Sequence, residues 1–167
     1  LVDSKKEKII LGTREISPEI PTELMGCKVA QMKLDNHQQL LSACANIETV
    51  IHLAAMNAPQ CKENPNQAFL VNSTGTLNLL KAASSSSVKN FIYFSTAHIY
   101  GSPLQGLINE STVPNPVHPY SITHKRAEEY VLEFDSKGFI SGIVLRLSNG
   151  IGAPLNTNVN CWYLASN

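Results

Sequence analysis

The chain of 167 residues, 43% of them hydrophobic, can bury one core of ordinary domain size but would divide poorly into two. Thirteen basic residues balance thirteen acidic ones with no long run of either sign, which argues against an electrostatic footprint for nucleic acid or an anionic membrane and favours a small-molecule protein. The four cysteines, Cys27, Cys44, Cys61 and Cys161, form no C-x-x-C pair, which argues against a zinc ribbon, a redox dithiol or a dense disulfide framework, and they read as reduced core thiols.

Short apolar or β-branched runs of strand length recur along the chain: KIILGT (8–13), VAQMKLD (29–35), TVIHLAA (49–55), NFIYFST (90–96) and GIVLRLS (142–148). TVIHLAA and NFIYFST are almost continuously apolar, the pattern of strands covered on both faces, which predicts a parallel sheet. Between them, NPNQAFLVNSTGTLNLLKAASSSS (64–87) places Phe69, Val71, Thr74, Leu77 and Leu80 at roughly helical spacing and reads as a crossover helix. A second helix opens at Pro119, carries Ala127, Tyr130, Val131 and Phe134 on one side, and stops at Gly138. Strand, helix, strand, helix, strand is the order of a doubly wound α/β fold.

No G-x-G-x-x-G lies near the start, the first residue is Leu, and no closing element follows GIVLRLSNGIGAPLN. The chain therefore reads as an incomplete fragment, with residues 1–167 the central part of one domain, expected to bind cofactor poorly and turn over nothing alone. No stretch approaches the roughly 20 apolar residues that span a bilayer, and LVDSKKEK lacks the apolar centre of a signal peptide, so a cytoplasmic location is expected. His37, His52, His98 and His118 show no ligand spacing, and no metal site is expected.

Five blocks, TVIHLAA, VNSTGTLNLLKAA, FIYFSTAHIYG, HPYSITHKRAEEYV and VLRLSNGIGAP, span residues 49–154 in order. Together they resemble the extended short-chain dehydrogenases/reductases, the NAD-dependent epimerase/dehydratase group that acts on nucleotide-linked sugars. KLDNHQQLLSA likewise resembles the strand and helix that precede the first block in that family. The resemblance implies a Rossmann-type NAD(P)-binding fold, NAD or NADP as cofactor, a nucleotide-sugar substrate, and the homodimer usual in the family.

It also implies a catalytic hydroxyl at Thr96, Tyr120 as acid/base, and a basic partner one helical turn further on. Hydride transfer between a sugar carbon and nicotinamide requires a proton to leave or join the neighbouring oxygen. A tyrosine with a pKa of about 10 does this near neutrality only when that value is lowered. The family pattern is tyrosine, three residues, lysine; here the fourth residue after Tyr120 is His124, and Lys125 lies roughly 140° away around the helix. His124 is assigned the lysine role, charged only below about 6.5 if unperturbed. Either imidazolium or mainly the nicotinamide charge activates the tyrosine, or the protein binds cofactor with little turnover.

By the same transfer Asp35 meets the adenine, Leu53, Ala54 and Ala55 line the cofactor, and Asn72 and Gly75 match an N-x-x-G on the following helix. Leu147 lies beside the nicotinamide, and Asn149 faces the substrate phosphates. Arg14, after the first strand, leans toward NADP. Ala97 and His98 stand where dehydratases of the family carry an Asp-Glu pair, which favours epimerisation or reduction. His98 reads as shaping the pocket edge, His52 as a satisfied strand histidine, and Asp35 and Arg146 equally as structural or surface charges. The alternatives are a non-catalytic NAD(P)-binding sensor or scaffold of the same fold, and a flavodoxin-like phosphate-binding domain with Thr96 and Tyr120 far apart.

Overall fold

A computed structural model describes residues 8–16 and 18–148. Asn149, Cys161, Trp162 and Tyr163 lie outside the described residues. Strands β1 (Ile10–Thr13) and β2 (Lys28–Gln31) pair in parallel, Ile10 opposite Lys28. Strands β3 (Thr49–His52), β4 (Asn90–Thr96) and β5 (Ser141–Leu147) form a second parallel sheet in that order, with Thr49 opposite Asn90 and Asn90 opposite Ser141. The single sheet expected from the sequence is thus two, because no described strand is hydrogen-bonded between β1 and β3.

Helix α1 (His37–Cys44) starts where the Asn36 side chain accepts the Gln39 N–H, and it buries Leu40 and Cys44. Helix α2 (Ala58–Glu63), which the apolar spacing did not indicate, begins with a capping box between Asn57 and Gln60 and has Pro59 in its first turn. The crossover helix is a continuous helical run in three parts: α3 (Pro65–Ala68), a π-helical turn over Phe69–Thr74, and α4 (Gly75–Ser84). A wider turn of this kind shifts the side chains that follow it relative to a regular helix, and such turns are frequent at functional sites. Helix α5 (Pro119–Ser136) is capped by His118, whose Nδ1 accepts from the Ser121 N–H, and ends before Gly138 at φ 69°, a left-handed value that suits glycine.

The core joins α1, α4 and α5 to one face of the β3–β4–β5 sheet. Leu40, Leu79, Leu80, Phe91, Tyr93, Ala127 and Val131 are all buried in it. On the other face Ile51, Ile143, Leu145 and Leu147 are 40–51% exposed. The reading of strands covered on both faces therefore holds for one face only among the described residues: the apolar side chains are present, but the helices named here pack against the opposite side. Gly75 lets α4 approach the segment after β2, since an added Cβ would lie 2.9 Å from both Cβ and Cδ1 of Leu34. Among the described residues no helix is long and apolar enough to cross a membrane.

Candidate active site

The carboxyl ends of β3, β4 and β5 open on a cavity of about 480 Å³, the side on which open parallel α/β sheets bind ligands. Its wall includes Leu53 and Ala55 after β3, Thr96, Ala97 and His98 at the end of β4, Tyr120 and His124 on α5, and Leu147 on β5. Residues far apart in sequence are gathered because each follows a strand or opens the helix packed against those strands.

Thr96 is 6% exposed and caps a short 3₁₀ turn, Ala97–Tyr100, where its Oγ1 accepts the His98 N–H at 3.2 Å. That bond uses one of the oxygen's two lone pairs and leaves the hydroxyl hydrogen available to donate. Tyr120 sits in the first turn of α5, its ring 6.2 Å from that of His118 and 4.5 Å, edge on, from that of His124. Burial raises the Tyr120 phenol above its ordinary value, and a side-chain hydrogen bond from Thr96 pulls it the other way.

His124 lies one turn after Tyr120 and is 3% exposed. Its Nδ1 is 2.7 Å from the Tyr93 hydroxyl, while its Nε2 is buried with no hydrogen-bond partner among the described residues. Burial holds the ring down at about pKa 4, although Glu128 acts in the opposite direction. The imidazole is therefore neutral near pH 7, which speaks against imidazolium among the alternatives that the sequence leaves open. Lys125 is turned away and pairs with Glu129 at 3.1 Å.

The remaining assignments divide. Leu53, Ala55 and Leu147 reach the cavity, as does His98 at its edge. Ala54 is exposed in the same loop but is not in the cavity wall, and Asp35 is exposed after β2, away from it. Asn72 is 1% exposed, and its amide is occupied within the protein. Its Oδ1 accepts the Met56 N–H at 2.7 Å, and its Nδ2 donates to Met56 O, Cys61 Sγ and Thr123 Oγ1 at 3.2–3.4 Å. Asn72 thus ties the loop after β3 to α5 from within the π-helical turn and does not face the cavity.

His52 is a satisfied strand histidine: Thr76 Oγ1 donates to the Asn72 carbonyl at 2.7 Å and so accepts from His52 Nε2 at 3.0 Å. Arg146 is a structural charge, paired with the buried Glu128. Sequence reasoning missed Tyr93 and Ser95 as parts of the site. Both read as ordinary members of an apolar strand, yet Tyr93 bonds His124, and Ser95, whose buried Oγ has no partner among the described residues, lines the cavity. Among the described residues, no group of three His, Cys, Asp or Glu side chains could hold a metal ion.

Comparison with known proteins shows the family. The chain is 33% identical over 114 residues to a UDP-glucose 4-epimerase of Lactobacillus helveticus, an alignment covering 68% of this chain and 34% of that protein. A structure of RMD from Pseudomonas aeruginosa complexed with NADPH superposes with a TM-score of 0.64 at 27% identity, over 70% of this chain and 41% of the other. The Thermus thermophilus UDP-glucose 4-epimerase in complex with NAD superposes at 0.77 with 23% identity, over 87% and 48%; at that identity the likeness shows the shared Rossmann-type fold. The chain spans about a third of the length of the curated relatives it matches. The model of the NAD dependent epimerase/dehydratase family matches residues 2–160, and the chain belongs to that family.

Proposed function

We propose that this chain carries the proton-transfer and nicotinamide-facing part of an NAD(P)-dependent enzyme that epimerises or reduces a nucleotide-linked sugar. The observation behind this reading is the meeting of Thr96, from the end of β4, and Tyr120, from the first turn of α5, on one cavity. The residues fit the ribose-nicotinamide end of a dinucleotide. His124 and Ser95 line the cavity, and each carries a buried polar atom, Nε2 and Oγ, without a partner among the described residues; such atoms are rarely left unsatisfied in a working complex. Leu53, Ala55 and Leu147 add an apolar wall for a flat ring.

When bound, the nicotinamide would accept or supply the hydride, and its oxidised form would add a fixed positive charge. Tyr120 removes or returns the proton of the substrate hydroxyl at its phenolic oxygen, and Thr96 donates its free hydroxyl hydrogen to the same substrate oxygen. With His124 neutral, no cation of this site among the described residues favours the phenolate, so once the substrate oxygen holds the Thr96 hydrogen the pull on Tyr120 comes from the cofactor's charge. Asn149 is assigned to the substrate phosphates and Asp35 to the adenine by resemblance to the family. No carboxylate lines the cavity among the described residues, which supports epimerisation or reduction over dehydration, a reaction that needs an acid and a base besides the tyrosine.

The neutral His124 also favours a second reading, an NAD(P)-binding sensor or scaffold with little turnover. The two are separated by titrating the full-length protein with NAD and NADP, each in its oxidised and its reduced form, and then adding a panel of nucleotide sugars. Saturable cofactor binding with conversion of one sugar supports the enzyme. Binding without conversion of any supports the sensor.

A further inference from the structure

Tyr93 points from β4 toward α5 with its hydroxyl 2.7 Å from His124 Nδ1. The two side chains are 2% and 3% exposed, and their rings lie 5.8 Å apart and 28° from parallel. A neutral imidazole has one N–H and one bare nitrogen, and which is which follows from its partners. Burial keeps Tyr93 protonated, so its hydroxyl hydrogen needs an acceptor. The neighbouring candidates are taken: His52 Nε2 is used by Thr76, and both Glu128 oxygens are held by Arg146. The Tyr93 hydroxyl therefore donates to Nδ1, and the single N–H of His124 is on Nε2, the atom with no protein partner on a residue that lines the cavity.

We infer that Tyr93 is a positioning residue whose hydroxyl fixes His124 as the Nε2–H tautomer, so that a neutral imidazole presents a donor to the cofactor's ribose. The inference rests on the proposed NAD(P) site and deepens it. An ammonium offers hydrogens in every direction and needs no such partner; an imidazole placed in a lysine's position does. Tyr93 and His124 then act as a unit, and changing one changes what the other can do.

The test begins with long-range proton–nitrogen NMR of the full-length protein labelled at histidine, which reads the tautomer directly. The wild type shows His124 protonated at Nε2 alone, and Tyr93→Phe shows a mixture or protonation at Nδ1. The dissociation constant for NADP or NAD, whichever binds more tightly, rises about tenfold in Tyr93→Phe, the effect of about one lost hydrogen bond. Where turnover is measurable, the KM for cofactor rises while kcat stays within about twofold, the mark of lost uniform binding. In a His124→Lys background, Tyr93→Phe has little effect on cofactor affinity, which separates tautomer control from general damage to the core. A wild-type His124 protonated at Nδ1, an unchanged tautomer in Tyr93→Phe, or an equal loss of affinity in the lysine background overturns the inference. These outcomes are read whether or not any sugar is converted, so the inference and the enzyme reading fail separately.

Discussion

Arg146 on β5 grips Glu128 on α5 through two parallel hydrogen bonds, Nε to Oε1 at 3.0 Å and Nη2 to Oε2 at 2.8 Å, while its Nη1 donates to the Tyr100 hydroxyl at 2.6 Å. Glu128 is fully buried, so removing the guanidinium leaves a carboxylate with neither water nor a partner. Arg146→Met is expected to lower the unfolding free energy by roughly 3 kcal/mol, and Glu128→Leu in the same chain should recover most of that loss. Urea unfolding of the single and double variants measures both; equal losses in the two would contradict the account.

Acid should loosen the protein through two buried rings. Burial, together with the nearby His124, holds His52 at about 4, and burial holds His124 at about 4 against Glu128. Unfolded, both return to about 6.5. Between about pH 6.5 and 4 the unfolded chain therefore binds more protons than the folded one, so stability is complete above that window and falls as pH drops through it. Each ring contributes a slope of about 1.4 kcal/mol per pH unit there. The denaturant midpoint should fall between about pH 6.5 and 5, and His52→Gln should flatten the dependence. A midpoint independent of pH across that range would show that the rings are not held neutral.

Loss of the Tyr120 hydroxyl removes the proposed acid/base and little packing, so Tyr120→Phe should lower kcat by about a hundred- to ten-thousandfold with the circular dichroism spectrum unchanged. Thr96→Val keeps the shape and removes the donor to the substrate oxygen, and a loss on the order of a hundredfold is expected. Steady-state rates of the full-length protein check both. A Thr96→Val enzyme as fast as the parent would take Thr96 out of the chemistry.

Gly75 packs where a Cβ would lie 2.9 Å from Leu34 Cβ and Cδ1. Alanine there gains helix propensity of about 1 kcal/mol but meets a contact that only a shift of helix or strand end can relieve, so Gly75→Ala should cost about 1 kcal/mol net. In a Leu34→Ala background the same substitution should become neutral or stabilising. Thermal midpoints of the four combinations decide it, and destabilisation of equal size in both backgrounds would mean that Leu34 is not the obstacle.

The elements that sequence shows well are those whose local signals agree with their final surroundings. Pro119 and Gly138 bracket α5, and the nearly continuous apolar run of NFIYFST marks β4, because helix ends and buried parallel strands depend on the chain within a few residues. Ordered blocks then bring Thr96 and Tyr120 to one place, since each lies where a strand ends or a helix begins. What could not be read depends on contacts made at a distance. The π-helical turn lets Asn72 reach Met56, Cys61 and Thr123 instead of a ligand, and no spacing rule carries that. The neutrality of His124 follows from its burial beneath Tyr93, which outweighs the opposing pull of Glu128 and which its place one turn after Tyr120 does not reveal.

The most direct test of the central claim is proton NMR of nucleotide sugars incubated with the full-length protein and the oxidised or the reduced form of NAD or NADP, run beside the Tyr120→Phe variant. The account predicts that one sugar is converted to its epimer or its reduced product by the wild type and that the signal disappears in the variant. Cofactor binding with no conversion of any sugar, or conversion that survives the loss of the Tyr120 hydroxyl, would contradict it.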